Sequence, residues 1–230
     1  VVIANSPMVA REVAQEYPWA AAKVRVVMNG VDAHKFRPAT VPMAELKAKL
    51  DLPVGEDYVL FMGNGWRRKG LREALQIVEK MRTPRLKLLV VGKGKKSELK
   101  GLLVIYRGVV SNMHEYYQAC RAFVLPTRYD PFTSSVLEAL ACGTAVVATD
   151  CPYGPREVLG GGDYGVLTPP GDPAALAAAV LRLLNDPAGR QALAARGLAR
   201  ARELSVQRMA DAYAAEFLKL RNPERERQTA

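Results

Sequence analysis

Five short apolar runs constrain this chain more than any other feature: Tyr58–Met62, Leu86–Val91, Leu103–Tyr106, Ala122–Leu125 and Ala145–Ala148. Each reads as a strand, and the first three run into Gly63, Gly92 and Gly108. Between them lie helical patterns at Leu71–Met81, Asn112–Cys120 and Thr133–Cys142. A strand that is apolar along its whole length is covered on both faces, and strands that alternate with helices pair in parallel. The expected fold is therefore α/β: a Rossmann-like parallel sheet with helices on both faces. Crossovers in such a sheet are right-handed, and ligands gather at the carboxyl ends of the strands, where the glycine clusters fall. The interval Gly92–Gly108 is short for a helix plus a strand. Its crossover is abbreviated or part of it is absent.

Flanking segments complete the pattern. Val1–Ala4 reads as a buried strand, and Ser6-Pro7 as the cap and first residue of a helix that ends near Tyr17-Pro18. Val24–Val27 is a short strand, Met28–Asp32 a turn, Phe36–Pro42 a linker and Met43–Leu50 a short helix. Tyr164–Leu167 is a last strand, followed by helices at Pro173–Asn185, Pro187–Glu203 and Ser205–Leu220. The charged tail Arg221–Arg227 is expected to fray. The chain opens on Val1 inside an apolar strand, which predicts a fragment that begins mid-fold.

Composition narrows the class. No apolar run approaches the roughly 20 residues of a membrane span, and no signal peptide is visible. Cys120, Cys142 and Cys151 lack CxxC spacing and predict reduced, buried thiols in a cytoplasmic protein. His34 and His114 are the only histidines, which excludes a histidine-rich metal site. The net charge is +10. Nucleotide phosphates or an anionic membrane at its inner, peripheral face would answer that charge, as would a solvated surface. Nucleic acid is not expected, because no nucleic-acid motif accompanies the scattered cations.

Chemistry concentrates at two strand ends. Gly63–Gly70 (GNGWRRKG) follows a strand and opens a helix, with Gly63 and Gly65 admitting close backbone approach and Arg68 and Lys69 placed to meet a pyrophosphate. It lacks the GK[ST] of a Walker loop, and residue 68 is Arg where a dinucleotide fingerprint needs glycine. Pro126–Gly143 holds the second group. Phe132, Thr133, Ser134 and Ser135 lie where a helix begins and backbone N–H groups lack partners, a site suited to phosphate. Glu138 follows a little over one turn later, on a helix whose other face is apolar, and Asp130 precedes it in the loop. A carboxylate at residue 138 accepts hydrogen bonds from sugar hydroxyls. Gly108 and Val109, at a third strand end, would hold a base through backbone groups, and Gly92–Lys96 is a basic loop. Paired carboxylates also hydrolyse glycosides, but a neutral glycoside needs no phosphate clamp.

The run Tyr129–Gly143, with acidic residues Asp130 and Glu138 separated by seven residues, resembles the acidic-x7-acidic motif of retaining GT-B glycosyltransferases of family 4, especially the lipopolysaccharide-core glucosyltransferases. Ala4-Asn5-Ser6, Asn29–Asp32, Arg68-Lys69-Gly70 and Gly165–Pro173 match in order, so the likeness covers nearly the whole chain. It implies the carboxyl-terminal half of a GT-B fold. Residues 1–36 would be a remnant of the amino-terminal acceptor domain and its linker, 37–204 the nucleotide-sugar-binding domain, and 205–230 a helix crossing back, with its tail.

By the same resemblance Glu138 holds the ribose hydroxyls and Asp130 faces the donor sugar or its phosphate end. The backbone of Phe132–Ser135 meets sugar and diphosphate, while Arg68 and Lys69 neutralise the leaving group without a metal or other cofactor. The implied donor is UDP-glucose or a similar nucleotide diphosphate sugar, and the acceptor a saccharide or lipid-linked molecule engaged by the other domain. Binding without transfer follows for this chain by itself. An exposed inner face on the last helix would then favour self-association. The sequence departs from the family at Asp130, usually Glu, and at Thr133-Ser134, usually a smaller pair. A nucleotide-sugar epimerase of the same fold and a non-catalytic module binding nucleotide or anionic lipid are the alternatives.

Overall fold

The computed structural model describes residues 1–81, 83, 85–99, 103–152 and 154–221. Residues 222–230, most of the expected frayed tail, lie outside them. Two short strands, β1 (Val2–Ala4) and β2 (Val24–Val26), form a parallel pair of their own. Between them run helix α1 (Pro7–Glu16) and a 3-10 segment at Pro18–Lys23. Ser6 caps α1 as its sequence predicts: its hydroxyl accepts from the Val9 N–H at 3.2 Å, with Pro7 at the first helical position.

After α2 (Met43–Lys49) the main sheet begins. Its strands are β3 (Asp57–Met62), β4 (Leu86–Val91), β5 (Val104–Gly108), β6 (Ala122–Leu125), β7 (Ala145–Thr149) and β8 (Val166–Thr168). The order across the sheet is β5-β4-β3-β6-β7-β8, all parallel. The α/β reading is correct, and the period-2 geometry of a strand explains why every central residue is apolar. Val59 and Phe61 of β3, with Leu88 and Val90 of β4, enter one core. Tyr58 and Leu60, with Leu89 and Val91, enter the other. Each face is sealed by helices. The helices after β3 are α3 (Trp66–Lys69) and α4 (Leu71–Met81); those after β5 and β6 are α5 (Met113–Gln118) and α6 (Ser134–Ala141). The chain closes with α7 (Pro155–Val158), α8 (Pro173–Asn185), α9 (Pro187–Glu203) and α10 (Val206–Arg221).

Several boundaries differ from the sequence reading. The glycine-rich loop after β3 contains a helical turn, α3, because Gly65 at φ 69° turns the chain and Trp66 is drawn into the core. The last strand starts at Val166 rather than Tyr164, since the Tyr164 N–H is taken by Leu159 O at 3.1 Å in the preceding turn. α7, four residues long, carries no periodic apolar signal in the sequence. The described part of the β4–β5 crossover holds a 3-10 turn at Lys96–Glu98 and no α-helix. Residues 100–102 lie outside the described set.

α10 has no buried residue, and Phe217, Leu218 and Leu220 are more than half exposed. It returns to the amino-terminal segment: Val31 bridges Ser205, the Gly30 N–H meets Met209 Sδ at 3.2 Å, and Arg25 lies 3.7 Å from Glu216.

Candidate functional site

The strand order reverses between β3 and β6, the first strand of the sheet lying beside its fourth. The loops leaving these two strands therefore meet at the carboxyl rim beside the switch point, where open α/β sheets bind ligands. They are the two loops that carry Arg68-Lys69 and Asp130.

Backbone contacts stitch the loops together. The Arg128 N–H donates to Arg68 O at 3.1 Å, and the Thr127 hydroxyl lies 3.3 Å from the same oxygen. Gly70, at φ 81°, passes so close to the next loop that a Cβ there would fall 2.0 Å from Pro126 O. Only glycine tolerates both the left-handed backbone and that approach. The Arg68 guanidinium donates to Tyr129 O at 2.7 Å and lies 3.8 Å from Asp130 Oδ2. Lys69 Nζ donates directly to Asp130 Oδ2, with both side chains largely buried. All three charged residues named from the sequence for the two loops thus meet at one point.

Beyond Asp130, Thr133 occupies the cap position of α6 but its side chain does not cap the helix. The Thr133 and Ser135 hydroxyl oxygens are buried and have no hydrogen-bond partner among the described residues. A buried hydroxyl without a partner loses its hydration with nothing in return, unless a ligand supplies the bond. Phe132 is buried in the core that backs α6, and Ser134 is exposed.

Glu138 sits on the second turn of α6 and accepts a hydrogen bond from the Tyr117 hydroxyl at 3.1 Å. Burial raises its carboxyl above the ordinary range, while the Tyr117 bond and the Lys35 charge oppose that rise. Burial also pushes the Tyr117 phenol well up, and the Glu138 charge adds to it. The carboxylate is thus held by one phenol, with lone pairs left over for further donors.

Gly63 and Gly65 lie in the β3 loop as expected, with Gly65 at the start of α3. Gly108 ends β5, and its carbonyl accepts from the Gly92 N–H at 2.6 Å. Val109 beside it is 74% exposed, an apolar side chain left at the rim.

Tyr117 escaped the sequence reading. Its place on the apolar side of a helix marks it only as core, and nothing in the pattern reveals that its hydroxyl reaches across to α6. His114 stands in the first turn of α5, and its Nδ1 is buried without a partner among the described residues. Among the described residues no cluster of His, Cys, Asp and Glu is arranged to hold a metal, and no helix is long and apolar enough to cross a membrane.

An open doubly wound sheet with cations, a carboxylate and unpartnered hydroxyls around its switch point defines a class, the doubly wound α/β domains with a polar site at the strand-order reversal. Comparison with known sequences narrows it: residues 56–186 match the family model described as glycosyl transferases group 1, and the chain belongs to that family. A D-inositol 3-phosphate glycosyltransferase of Streptosporangium roseum is 32% identical over 239 residues, covering 93% of this chain and 54% of the relative. Sucrose-phosphate synthase from Thermosynechococcus elongatus superposes with a TM-score of 0.80 at 28% identity, over 95% of this chain and 58% of that one. Anabaena Alr3699/HepE in complex with UDP-glucose shares the fold, with a TM-score of 0.82 at 21% identity over 94% of this chain and 64% of its own. The chain spans about half the length of the curated relatives it matches.

Proposed function

We propose that this chain is the donor-binding half of a retaining glycosyltransferase that moves a hexose from a UDP-linked sugar to a saccharide or lipid-linked acceptor. The observation that carries the reading is the convergence at the sheet's switch point of Lys69 and Arg68 on Asp130, beside the unpartnered hydroxyls of Thr133 and Ser135. The likeness to a protein whose structure holds UDP-glucose supports the choice of donor.

In this reading Glu138 accepts from the ribose hydroxyls, and Tyr117 fixes the carboxylate for them. A diphosphate entering the crevice shares Lys69 and Arg68 with Asp130, and Thr133 and Ser135 turn their hydroxyls to sugar or phosphate. Breaking the bond between the sugar's anomeric carbon and the diphosphate leaves negative charge on the diphosphate. Cations already in place stabilise that charge with little reorganisation. Arg68 and Lys69 fill this role, so no metal is assigned to it. Residues 1–36 and α10 belong to the junction with an acceptor domain, and the chain alone binds donor without transferring sugar.

Calorimetry and thermal shift with UDP-, ADP- and GDP-sugars test the proposal. A ligand at a hundred times its dissociation constant stabilises by about 2.7 kcal/mol. Stabilisation by UDP-glucose that is weakened in Glu138→Gln is the expected result. No response to any of these nucleotides would overturn the donor assignment, and turnover by the chain alone would overturn its predicted inactivity.

A further inference from the structure

The basic loop Gly92–Lys96 has no part in the donor reading, yet it is firmly placed. Gly94 lies against the indole of Trp66, and a Cβ there would fall 2.1 Å from the ring. Trp66 is itself fixed, its Nε1–H donating to Gly63 O at 3.0 Å and its ring meeting Tyr106 edge-on at 5.6 Å. Between this loop and α3 lies a cavity of about 540 Å³, lined by Arg67, Arg68, Lys95, Glu98 and Arg128 over Trp66. Lys69, Asp130, Glu138 and Gly108 are not among its walls. It opens on the α4 side of the sheet, since Trp66 belongs to the core beneath α4, whereas Tyr117, the partner of Glu138, belongs to the opposite core.

Charge in this cavity is unbalanced. Four cationic residues and one carboxylate border it. Arg128 is paired with Glu73 at 2.9 Å, and Arg68 is held by Tyr129 O and Asp130. Arg67 and Lys95 have no carboxylate partner among the described residues. Like charges gathered around one concavity raise the local potential and attract an anion. Guanidinium groups favour phosphate in particular, because their N–H fork matches two phosphate oxygens. The volume falls in the range of small-molecule pockets, roughly 300–1,000 Å³, enough for a phosphate and the group it esterifies.

We infer that this cavity is a second anion site, distinct from the donor crevice, that takes a phosphate ester carried by a soluble molecule or by a lipid headgroup. Arg68 is common to both sites and links their occupancy. Binding here depends only on Arg67, Lys95 and their neighbours. Its use in glycosyl transfer is the part that rests on the proposed function.

The Trp19→Phe variant leaves Trp66 as the single tryptophan and a reporter in the cavity wall. Inorganic phosphate is titrated at low salt, with and without UDP, by fluorescence and by calorimetry. Saturable binding is expected, weakened at least about tenfold in the Arg67→Ala/Lys95→Ala double variant, the loss of charge-assisted bonds. Rising salt weakens it as well. UDP affinity is unchanged by the double variant. Vesicles of phosphatidylcholine with and without phosphatidylglycerol separate the sources. Binding only to the anionic vesicles, displaced by phosphate and lost in the double variant, assigns a lipid headgroup; phosphate binding without vesicle binding assigns a soluble ester. Absence of saturable phosphate binding, or equal affinity in the double variant, overturns the site. Phosphate binding that persists while UDP fails to bind refutes the donor reading and leaves this site standing.

Discussion

Replacing Lys69 by Met strips the ammonium from Asp130 Oδ2 while keeping most of the side-chain volume. The lysine side chain is 14% exposed and the aspartate 9%, so little water is available to take over the carboxylate. Removing one partner of a buried ion pair costs about 3–5 kcal/mol, because the other charge stays buried without compensation. Arg68 remains 3.8 Å from Oδ2, but it is 48% exposed and its attraction is screened. The lower end is therefore expected, about 3 kcal/mol, which for a domain of this size lowers the melting midpoint by roughly 6–12 °C. Replacing both residues, Lys69→Met with Asp130→Leu, removes the orphaned charge and should recover most of the loss, since apolar pairs often match buried ion pairs. Urea denaturation of the parent, the single variant and the double variant measures this. UDP-glucose affinity should fall in both variants, whatever their stability. A single variant within about 1 kcal/mol of the parent, or a double variant no more stable than the single, would refute the argument that this pair is buried and mutually dependent.

Other outcomes follow from the same geometry. Burial raises the Glu138 carboxyl, so the folded state favours its protonated form; that contribution is fully present below the ordinary carboxylate value and is lost as pH rises through the raised one. Glu138→Gln should therefore be at least as stable as the parent near neutral pH, with a flatter stability profile above about pH 4, while donor affinity drops about 100-fold through two weakened hydroxyl contacts. Chemical melts across pH, paired with calorimetry, check both halves. Gly70→Ala meets Pro126 O and a positive φ together and should cost about 3 kcal/mol or more, read as a lowered melting midpoint. The three cysteines are buried, and burial pushes the Cys142 thiol up to about 12 and the Cys120 thiol further still. A thiol reagent at mildly alkaline pH should label none of them in the folded protein and all three in denaturant. Prompt labelling of the folded chain would contradict their placement.

Much of the fold is legible in the chain. β3 and β4 alternate residues into two cores, and a strand buried on both faces leaves few polar positions, so Tyr58–Met62 and Leu88–Val91 read as apolar runs with Asp57 and Lys87 only at their starts. Ser6-Pro7 marks a helix start because cap geometry depends on adjacent residues alone. α7 was invisible because a single turn between Gly154 and Leu159 carries no period to detect.

The candidate site was legible only in pieces. Local sequence marked Arg68-Lys69, Asp130 and Glu138 as residues at strand ends, since glycine stops, turn chemistry and a helix start are short-range effects. It left open which strand ends are neighbours. An apolar run specifies burial but not a pairing partner, because any parallel strand satisfies the same backbone hydrogen bonds. Tertiary structure set β3 beside β6 and so brought Lys69 onto Asp130. Packing α5 against α6 likewise placed the Tyr117 hydroxyl on Glu138, a contact between side chains 21 residues apart that no local pattern encodes.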